Sequence, residues 1–536
     1  MAVLYQKDKR SGITYAYDSV AHWDKEKKQS RAKRTLIGRV DPVSGEIVPT
    51  NQSHRRASSA KKETFIRDIM SVSRRFYGCT YLLDAIGEKT GITRDLESCF
   101  PDTYKQILSI AYYLILEDKT PLLRFSRWGT SHTHPYGEAI TSQRSSELFA
   151  SVSESAKYKF FNLQLKRRSD NEYLAYDTTS ISSYSKTLSA VKYGKNKDND
   201  LLPQINLALV FGEESNLPFY YRKMPGNISD VTTLKNLITE IKNMGCEKIK
   251  FVMDRGFYSK ENIDILYKHD VKFLLAARSG LKYIRESITK EKENIRSWNN
   301  YREQYDLYAH TTQLTWEYSQ YNHKTQREEK EKRTLHLYTY FSLERAAEDE
   351  RRQNILLRSL EQELCLGKRE IEHEKLYEKY FETTKNASGG NTVKPRTKEI
   401  EKAKELYGYF ILISNDISDP IQALEIYRNK DLAEKAFENL KERLNLRRTL
   451  VSSEASLEGK LFVEFIALIY MSYIKRQMQK HELFKSYTMH ELLDELEPIE
   501  KYERHGQESF LSEITTSQRE LYAAMDVAPP DTLIHC

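Results

Sequence analysis

The spacing of apolar and polar positions changes sharply near residue 170. From there to residue 278, short apolar runs of strand length alternate with stretches whose apolar residues recur every three or four positions. Three consecutive strands followed by alternating helices and strands indicate an α/β domain with a mixed sheet flanked by helices. The pattern predicts strands at 172–182, 204–212, 217–224, 249–254 and 271–278, and helices at 231–244 and 259–268.

The chain before residue 170 shows two further patterns. Residues 1–62 alternate short β-like pieces with turn signals and are rich in Lys and Arg, which predicts a small basic β module. Residues 64–165 have helical spacing, and within them 80–87 and 91–96 predict two short helices joined by a turn. That pair is either a helix-turn-helix that reads DNA or an ordinary part of an all-helical packing, and the sequence leaves both open.

A charged stretch interrupts the α/β pattern after residue 284. It contains few long apolar runs, and its helical segment around 342–380 is rich in Glu, Arg and Lys, so we expect an insertion. A buried strand returns at 409–414, ahead of one more helix. The predicted regions are a basic β-rich N-terminal module (1–62), a helical, candidate DNA-binding region (63–168), the first part of the α/β core (169–284), an insertion domain (285–405), the last part of the core (406–480) and a C-terminal helical region (481–536).

The excess of positive charge lies at the N terminus. The whole chain has 84 Lys plus Arg against 77 Asp plus Glu, and residues 1–62 alone hold fourteen Lys or Arg against six Asp or Glu. A polyanion such as nucleic acid is therefore expected to meet this region first, although a solvated basic face is the alternative.

Cysteine usage and hydropathy restrict the cellular setting. The five cysteines are scattered without a Cys-x-x-Cys pair, which predicts a reducing, intracellular environment. The first residues lack the apolar stretch of a secretory signal. The longest apolar run, 461–474, is shorter than the roughly 20 residues of a bilayer span, so it predicts a buried core helix and no membrane association.

Three acidic residues occupy informative positions in this pattern. Asp177 lies inside the first predicted strand, Asp254 at the end of the fourth, and Glu434 on the helix after the 409–414 strand. A single Asp at a strand end is usually a turn or capping residue. Three carboxylates in this order can instead hold two divalent cations, which stabilise the attacking and leaving oxygens of an in-line phosphoryl displacement.

The last helix can be tested on a helical wheel. At about 100° per residue, Tyr427, Lys430, Glu434 and Lys441 share one narrow polar face, and the apolar residues form a broad stripe beside it. Glu438 falls on the same polar face. The wheel therefore leaves Glu434 and Glu438 equal as the third acid.

Several motifs together resemble a known family. The spacing Tyr-x2-Lys-x3-Glu-x6-Lys at 427, 430, 434 and 441 resembles the Tyr-Arg-Glu-Lys signature of DDE transposases of the bacterial insertion-sequence-four superfamily, in its longer branch. Lys430 stands where that signature has Arg, which keeps the charge but loses the bidentate fork. The resemblance covers about 170–282 and 405–475 and implies an RNase H-like core interrupted by an insertion. Further matches are Asp177-Thr178-Thr179-Ser180, the Gly226-Asn227-x-x-Asp230 turn, Asp254-Arg255-Gly256-Phe257 and Gly408-x-Phe410.

The resemblance implies metal-dependent DNA cleavage and joining. Asp177, Asp254 and Glu434 would be the catalytic residues and would bind two Mg2+ ions, with Mn2+ as a substitute. Water would first be activated to nick the element end, and the freed 3′-hydroxyl would then attack target DNA.

Other residues would contact the DNA on the same grounds. The resemblance assigns DNA binding near the element end to Tyr427, Lys430, Lys441 and Arg255. Trp298 and Trp316 lie in the insertion, where related enzymes stack an aromatic residue on a flipped base, and a buried structural role is the alternative for each.

The implied partners are double-stranded DNA at the terminal inverted repeats of the element and at the target, and a second copy of the chain in a homodimer on DNA. The implied location is the bacterial cytoplasm, in association with the nucleoid. Two alternatives stay open: a catalytically silent, transposase-derived DNA-binding protein, and a nuclease of the same fold. Loss of one of the three acids would favour the silent protein, and none is lost.

Overall fold

The computed structural model of the 536-residue chain describes most of the sequence. The described residues are 2–24, 29–50, 72–117, 120–167, 172–197, 200–228, 230–322, 326–385, 391–430, 441, 448–449, 451, 453–503, 508–531 and 533–534.

The β-strands are numbered in chain order. They are β1 Ala2–Lys7, β2 Thr14–Asp24, β3 Gln29–Val40, β4 Ile47–Val48, β5 Ser73–Phe76, β6 Leu174–Ser183, β7 Gln204–Gly212, β8 Pro218–Pro225, β9 Lys250–Met253, β10 Lys272–Ala277, β11 Tyr301–Arg302, β12 Leu307–Asn322, β13 Arg327–Phe341, β14 Phe381–Lys385, β15 Asn391–Pro395, β16 Tyr409–Ser414, β17 Arg448–Thr449, β18 Glu500–Glu503, β19 Ser509–Leu511 and β20 Leu533–Ile534.

The α-helices are numbered in the same way. They are α1 Gly78–Thr90, α2 Ile92–Cys99, α3 Tyr104–Leu116, α4 Phe125–Ser131, α5 Ser142–Ser151, α6 Glu154–Lys166, α7 Leu234–Asn243, α8 Lys260–Lys268, α9 Lys282–Ile295, α10 Leu343–Cys365, α11 Glu374–Tyr380, α12 Thr397–Lys404, α13 Pro420–Asn429, α14 Glu454–Lys480, α15 Met489–Leu496 and α16 Thr516–Ala524.

The chain divides into two compact units. The first contains two antiparallel sheets of four strands each, in the orders β1-β2-β3-β4 and β20-β19-β18-β5. The second contains the large sheet and the helices. The first unit is Met1–Phe76, Ile499–Ile514 and Pro530–Cys536, and the second is Tyr77–Pro498 and Thr515–Pro529.

The large sheet has ten strands in a mixed α/β arrangement. Its order is β11-β12-β13-β16-β10-β9-β6-β7-β8, and β17 pairs with β6. The pairs β6–β9, β9–β10 and β17–β6 are parallel, and the other neighbouring pairs are antiparallel. Every residue of β6 and β7 is buried, as expected for central strands that are covered on both faces. The seven elements predicted between 172 and 278 are present, each within three residues of its predicted bounds.

The helical region before the sheet contains the predicted pair of short helices. Helices α1 and α2 meet at Gly91, whose φ of 76° lies in the left-handed region that favours glycine. Asp95 of α2 is buried and accepts hydrogen bonds from Gln164 at 2.7 Å and from Arg167 at 2.5 and 2.8 Å. These bonds tie α2 to the end of α6. The helices are confirmed, and their contact with DNA stays a prediction.

The predicted insertion contributes strands to the large sheet. Strands β12 and β13 form a long hairpin of 16 and 15 residues, and β13 pairs with β16. The sequence pattern did not predict this hairpin. The rest of the segment forms the helices α10, α11 and α12 with the two-stranded sheet β14–β15, around a small core of Leu360, Leu364, Tyr377, Tyr380 and Phe381.

The longest helix is buried in the second unit. The apolar run predicted to be a core helix lies in α14, which packs against α3, α5 and β8. Of the helices in the described ranges, none is long and apolar enough to cross a membrane.

Candidate active site

Two of the predicted acids lie level with one another on neighbouring strands. Strands β6 and β9 run parallel, with Tyr176 opposite Met253. The residue that follows Tyr176 is Asp177, within β6, and the residue that follows Met253 is Asp254, directly after β9. Because parallel strands carry equivalent positions side by side, the two carboxylates belong to one site.

The chain turns away immediately after the second acid. Asp254 has an extended backbone, with φ −80° and ψ 166°, and the short helical turn Arg255–Phe257 follows it. Phe257 is buried, and its ring packs on Tyr176 with centroids 4.8 Å apart. This contact anchors the turn, so that Asp254 is left partly exposed and Arg255 exposed.

The electrostatic surroundings of Asp177 are mixed. Burial raises the pKa of Asp177 above its ordinary range, and the charge of Asp254 adds to the rise. The ammonium groups of Lys197 and Lys430 and the backbone N–H of Thr178 act in the opposite direction without cancelling it. Thr178 N donates to Asp177 Oδ1 at 2.8 Å, and Lys197 Nζ lies 3.8 Å from the same oxygen.

Lys197 is a site residue that the sequence analysis missed. It lies in the loop between β6 and β7, and its ammonium donates to the carbonyl oxygen of Thr178 at 2.5 Å and to its hydroxyl at 2.8 Å. The neighbouring Asn196 donates to the Ser182 hydroxyl at 3.2 Å. The loop is therefore tied to the strand that carries the first acid. No periodic pattern marks such a loop. Its lysine-rich composition is the one sequence signal that could have identified it.

The glycine turn of the family motif packs against this loop. A Cβ on Gly226 would lie 2.1 Å from the carbonyl oxygen of Gln204, and a Cβ on Gly194 would lie 2.0 Å from the carbonyl oxygen of Gly226. Distances this short leave room for neither side chain. The glycines therefore allow the turn after β8 and the loop before β7 to pack against each other.

Helix α13 brings Tyr427 and Lys430 to the same place. The helix begins with Asp419 as its N-cap, which accepts from Gln422 N at 2.9 Å, and with a proline in the first turn. Near its end, the Tyr427 hydroxyl donates to Asp254 Oδ1 at 2.9 Å. Lys430 is buried, with Nζ 5.6 Å from the centre of the Tyr427 ring.

The third acid lies outside the described residues. Neither Glu434 nor Glu438 belongs to the part of the chain that the structure describes, so the choice between them stays a prediction. Lys441 is described and partly exposed.

The two tryptophans of the insertion have different surroundings. Trp316 lies on β12, where its indole N–H donates to Asp264 Oδ1 at 2.8 Å and its ring packs edge-on to Tyr283. Those contacts fit the structural role that the sequence analysis left open. Trp298 is 82% exposed, which leaves its ring available for stacking.

A cavity of about 770 Å3 opens beside Asp254. It lies between the end of the sheet and helices α10 to α12 of the second unit. Its cationic lining residues are Arg255, Arg278, Arg345, Arg352 and Lys379. Its aromatic lining residues are Tyr380, Tyr407, Tyr409, Phe410 and Tyr427. Two of these ten residues, Arg255 and Tyr427, were predicted as site residues from the sequence. The segment around 342–380 was expected to be part of an insertion, so its residues were not assigned to the site.

Three polar groups of the lining are buried without a partner. Within the described chain, the hydroxyls of Tyr407 and Tyr409 and the side-chain N–H2 of Gln353 make no hydrogen bond. Burial raises the pKa of Tyr407 to about 12, so its hydroxyl keeps its proton and can donate. Buried polar groups are rarely left unpaired, so this cavity is chemically suited to a polar ligand.

Comparison with known proteins decides the family. The model of the family described as transposase DDE domain matches residues 168–470, which is more than half of the chain. The chain belongs to the transposase DDE domain family. No curated protein matches this DDE family member.

One solved structure that resembles this DDE family member is the piggyBac transposase synaptic complex with hairpin DNA, determined by cryo-EM. The identity is 11%, with 63% of this chain and 54% of that chain covered and a TM-score of 0.31. The DDE chain thus spans about half the length of that protein, and a TM-score of this size does not establish a shared fold.

The described donors of this DDE family member fit a hard divalent cation. Asp177 and Asp254 offer carboxylate oxygens on adjacent strands, and such oxygens are the ligands that Mg2+ prefers. Among the described residues, no group of three or more His, Cys, Asp or Glu is placed to hold a metal ion. Glu434, the third ligand predicted from the sequence, lies outside them.

Proposed function

We propose that this protein is a DNA transposase that binds the ends of a bacterial insertion sequence, cleaves the DNA there and joins the 3′ ends to target DNA. The observation that carries the proposal is the convergence of Asp177, Asp254 and Tyr427 at the C-terminal end of β9. The strand order β8-β7-β6-β9-β10, with β6, β9 and β10 parallel, is also the order expected of an RNase H-like core. Membership in the DDE family supports the same activity.

In this proposal Asp177, Asp254 and Glu434 hold two Mg2+ ions, with Mn2+ as a substitute. When bound, such ions stabilise the attacking and leaving oxygens of the displaced phosphate. Tyr427 orients the Asp254 carboxylate by donating to its Oδ1 atom.

The lysines have a separate electrostatic role. Lys197 and Lys430 place positive charge near Asp177. A phosphodiester that approaches two carboxylates is repelled by them, and nearby ammonium groups reduce that repulsion. Lys441 and Arg255 are further candidates for contact with the phosphates of the element end.

The cavity beside Asp254 supplies a path for a DNA strand. Arginine and lysine side chains can neutralise phosphates, and aromatic rings can stack on unpaired bases. The partnerless hydroxyls of Tyr407 and Tyr409 and the amide of Gln353 can bond to sugar, base or phosphate oxygens. We propose that the strand cut near Asp254 passes through this cavity, and that the exposed Trp298 is a base-stacking candidate outside its lining.

The proposed partners follow from this activity. They are double-stranded DNA at the terminal inverted repeats and at the target site, and a second copy of the chain in the DNA complex. The proposed location is the bacterial cytoplasm, in association with the nucleoid.

Cleavage and strand transfer on labelled duplexes test the proposal. The duplexes tile the DNA on both sides of the gene, and the reaction contains Mg2+ and a target plasmid. The wild type is compared with Asp177→Asn and Asp254→Asn, which keep the shape of each side chain but remove its charge. Glu434→Ala is paired with Glu438→Ala as its matched control. Binding of each variant to the same duplexes is measured in EDTA.

We expect nicking and joining by the wild type and by Glu438→Ala, and neither by Asp177→Asn, Asp254→Asn or Glu434→Ala, with DNA binding retained by all. If Glu438→Ala alone abolished the products, the third acid would be Glu438. If the wild type bound an element end but made no nick in Mg2+ or Mn2+, the protein would be a silent DNA-binding descendant. Nicking without joining would identify a nuclease of the same fold.

A further inference from the structure

A two-stranded β-ribbon extends from the N-terminal sheet of the first unit. It consists of residues 19–24 of β2 paired with residues 29–34 of β3, and we call it the ribbon. Side chains at 20–23 and 29–35 are all exposed, including Val20 at 50% and Trp23 at 62%. At the base of the same two strands, Ala16 is fully buried. The side chains therefore become exposed where the ribbon leaves the sheet, and they are exposed on both faces of the ribbon.

The pairing register assigns the ribbon side chains to two faces. Residues that pair directly across two antiparallel strands point to the same face. Val20 pairs with Lys33, and His22 pairs with Arg31. We call these four residues the basic face of the ribbon, and the pair Asp24 and Gln29 follows them on the same face.

The opposite face has a different composition. Ser19 pairs with Arg34, Ala21 with Ala32, and Trp23 with Ser30. Apart from its two large side chains, this face is made of small residues.

The dimensions of the ribbon match a groove of duplex DNA. Adjacent strands lie roughly 4.8 Å apart, and the major groove of B-DNA, about 12 Å wide, admits a two-stranded β-ribbon. Several DNA-binding proteins read bases with strands placed in a groove. A ribbon whose side chains are exposed on both faces, as they are here at 20–23 and 29–35, has the shape that such insertion needs.

The charge of the ribbon matches the same partner. Residues 29–35, Gln-Ser-Arg-Ala-Lys-Arg-Thr, contain three basic residues and no acidic one, and the facing residues 19–24 contain one acidic residue, Asp24, so basic residues are in excess. On the basic face, Arg31 and Lys33 can donate to guanine O6 and N7, and Val20 can contact a thymine methyl group. The face thus carries both the donors and the apolar contact that base reading requires.

We propose that the ribbon enters the major groove of duplex DNA with its basic face toward the base edges, and that Arg31 and Lys33 select the sequence bound. This inference rests on the proposed function in one respect. The proposed function identifies the duplex that the ribbon reads as the DNA next to the element end. The ribbon provides recognition, and the acids of the second unit provide cleavage.

The test measures DNA binding by the full chain in EDTA, where no cleavage occurs. The probes are the labelled duplexes that tile the DNA on both sides of the gene, and duplexes of the same length and shuffled sequence. The double variant Arg31→Ala/Lys33→Ala is compared with two controls. Lys368→Ala/Lys375→Ala removes the same charge from exposed positions of the insertion, and Ser30→Ala alters the opposite face of the ribbon.

We expect the double variant to bind the best flanking duplex about tenfold more weakly or worse, with a smaller loss on the shuffled duplex. Both controls should bind within about twofold of the wild type. Methylation protection adds a second readout, because guanine N7 lies in the major groove. The wild type should protect guanines that the double variant leaves reactive, while circular dichroism spectra of the two proteins agree.

Three results would overturn the inference: equal binding by the double variant and the wild type, an equal loss in the Lys368→Ala/Lys375→Ala control, or guanine protection that persists in the double variant. A protein that cuts element ends but binds them independently of the ribbon would refute the inference and leave the proposed function standing. A protein that binds DNA through the ribbon but never cuts it would refute the proposed function and leave this inference standing.

Discussion

The carboxylate of Glu464 lies fully buried in helix α14 of the second unit. Within the described chain, neither of its oxygens has a hydrogen-bond partner, and Lys460 Nζ is 3.7 Å from Oε1. Burial raises the pKa of Glu464 from 4.5 to about 7, and Lys460 offsets only part of that rise. We predict that Glu464→Gln stabilises the protein at high pH and has little effect at low pH.

The size and sign of the effect follow from proton linkage. Between pH 4.5 and about 7, the unfolded chain loses the Glu464 proton while the folded chain keeps it. The free energy of unfolding of the wild type therefore falls as the pH rises through this window. At 1.36 kcal/mol for each pKa unit, the full penalty above pH 7 is about 3 kcal/mol. A neutral Gln of the same shape carries no such penalty.

Thermal melting of the two proteins from about pH 5 to about pH 8.5 measures the difference. The variant should match the wild type near the acidic end and melt several degrees higher at the alkaline end. Glu458→Gln is the matched control on the same helix. Hydrogen bonds and ion pairs with Lys157 and Lys223 outweigh burial and lower the pKa of Glu458, so its removal should destabilise the protein at high pH and progressively less as the pH falls toward the acidic end.

A melting difference between Glu464→Gln and the wild type that does not change with pH would refute a raised pKa for the buried carboxyl. A raised pKa is also refuted if Glu464→Gln loses stability at the alkaline end, because the buried carboxylate would then be worth keeping. Parallel pH profiles for Glu464→Gln and Glu458→Gln would show that burial and ion pairing do not separate these two acids.

Three other changes have defined outcomes. Tyr427→Phe removes a hydrogen bond to the second acid, so we expect cleavage about tenfold slower or more at unchanged DNA affinity in EDTA; an unchanged single-turnover rate would contradict the role of the hydroxyl. Gly226→Ala places a Cβ 2.1 Å from the Gln204 carbonyl, so melting should reveal a loss of about 1–3 kcal/mol, and wild-type melting would show that the turn adjusts. Asp95→Ala leaves the buried Gln164 amide unpaired and removes the ion pair of the exposed Arg167 guanidinium, so it should cost about 1–3 kcal/mol. The exposed Asp102→Ala should melt with the wild type; equal melting of the two variants would rule out this link.

The sequence predicted the centre of the large sheet because its strands are buried on both faces. In β6 and β7 every residue is buried, and the mostly apolar run of β7, Gln-Ile-Asn-Leu-Ala-Leu-Val-Phe-Gly, was a strong signal. The same pattern located Asp177 inside a strand and Asp254 at a strand end, and the parallel register then accounts for their proximity.

The long hairpin β12–β13 escaped prediction for the opposite reason. Most residues in the first half of β13 are exposed, and the buried ones cluster at its end. A strand that meets solvent on both faces has no alternation of period two, and its dense charge resembles that of a loop or a solvated helix. Register is set by the partner strand in such a case, and a single sequence does not contain that information.

The candidate site was predictable only in part. Its acids, Tyr427 and Lys430 belong to elements with recognisable spacing. Lys197 belongs to a loop, and Arg345 and Arg352 belong to a helix whose charged face looks solvated until helices α10 to α12 fold over the end of the sheet. Contacts between segments far apart in the chain depend on tertiary packing, which local periodicity does not encode.

The position of β16 between β10 and β13 has a consequence for synthesis of the chain. Strand β10 ends at Ala277, and the strand that covers its edge begins only at Tyr409. At the usual rate of roughly 5–20 residues per second, the ribosome needs about 7 to 26 s to supply it. During that interval, β10 presents an apolar edge able to pair with strands of other nascent chains. When ribosomes are closely spaced on this messenger RNA, a chaperone that binds the β10 edge until residues 409–414 emerge would therefore prevent such pairing.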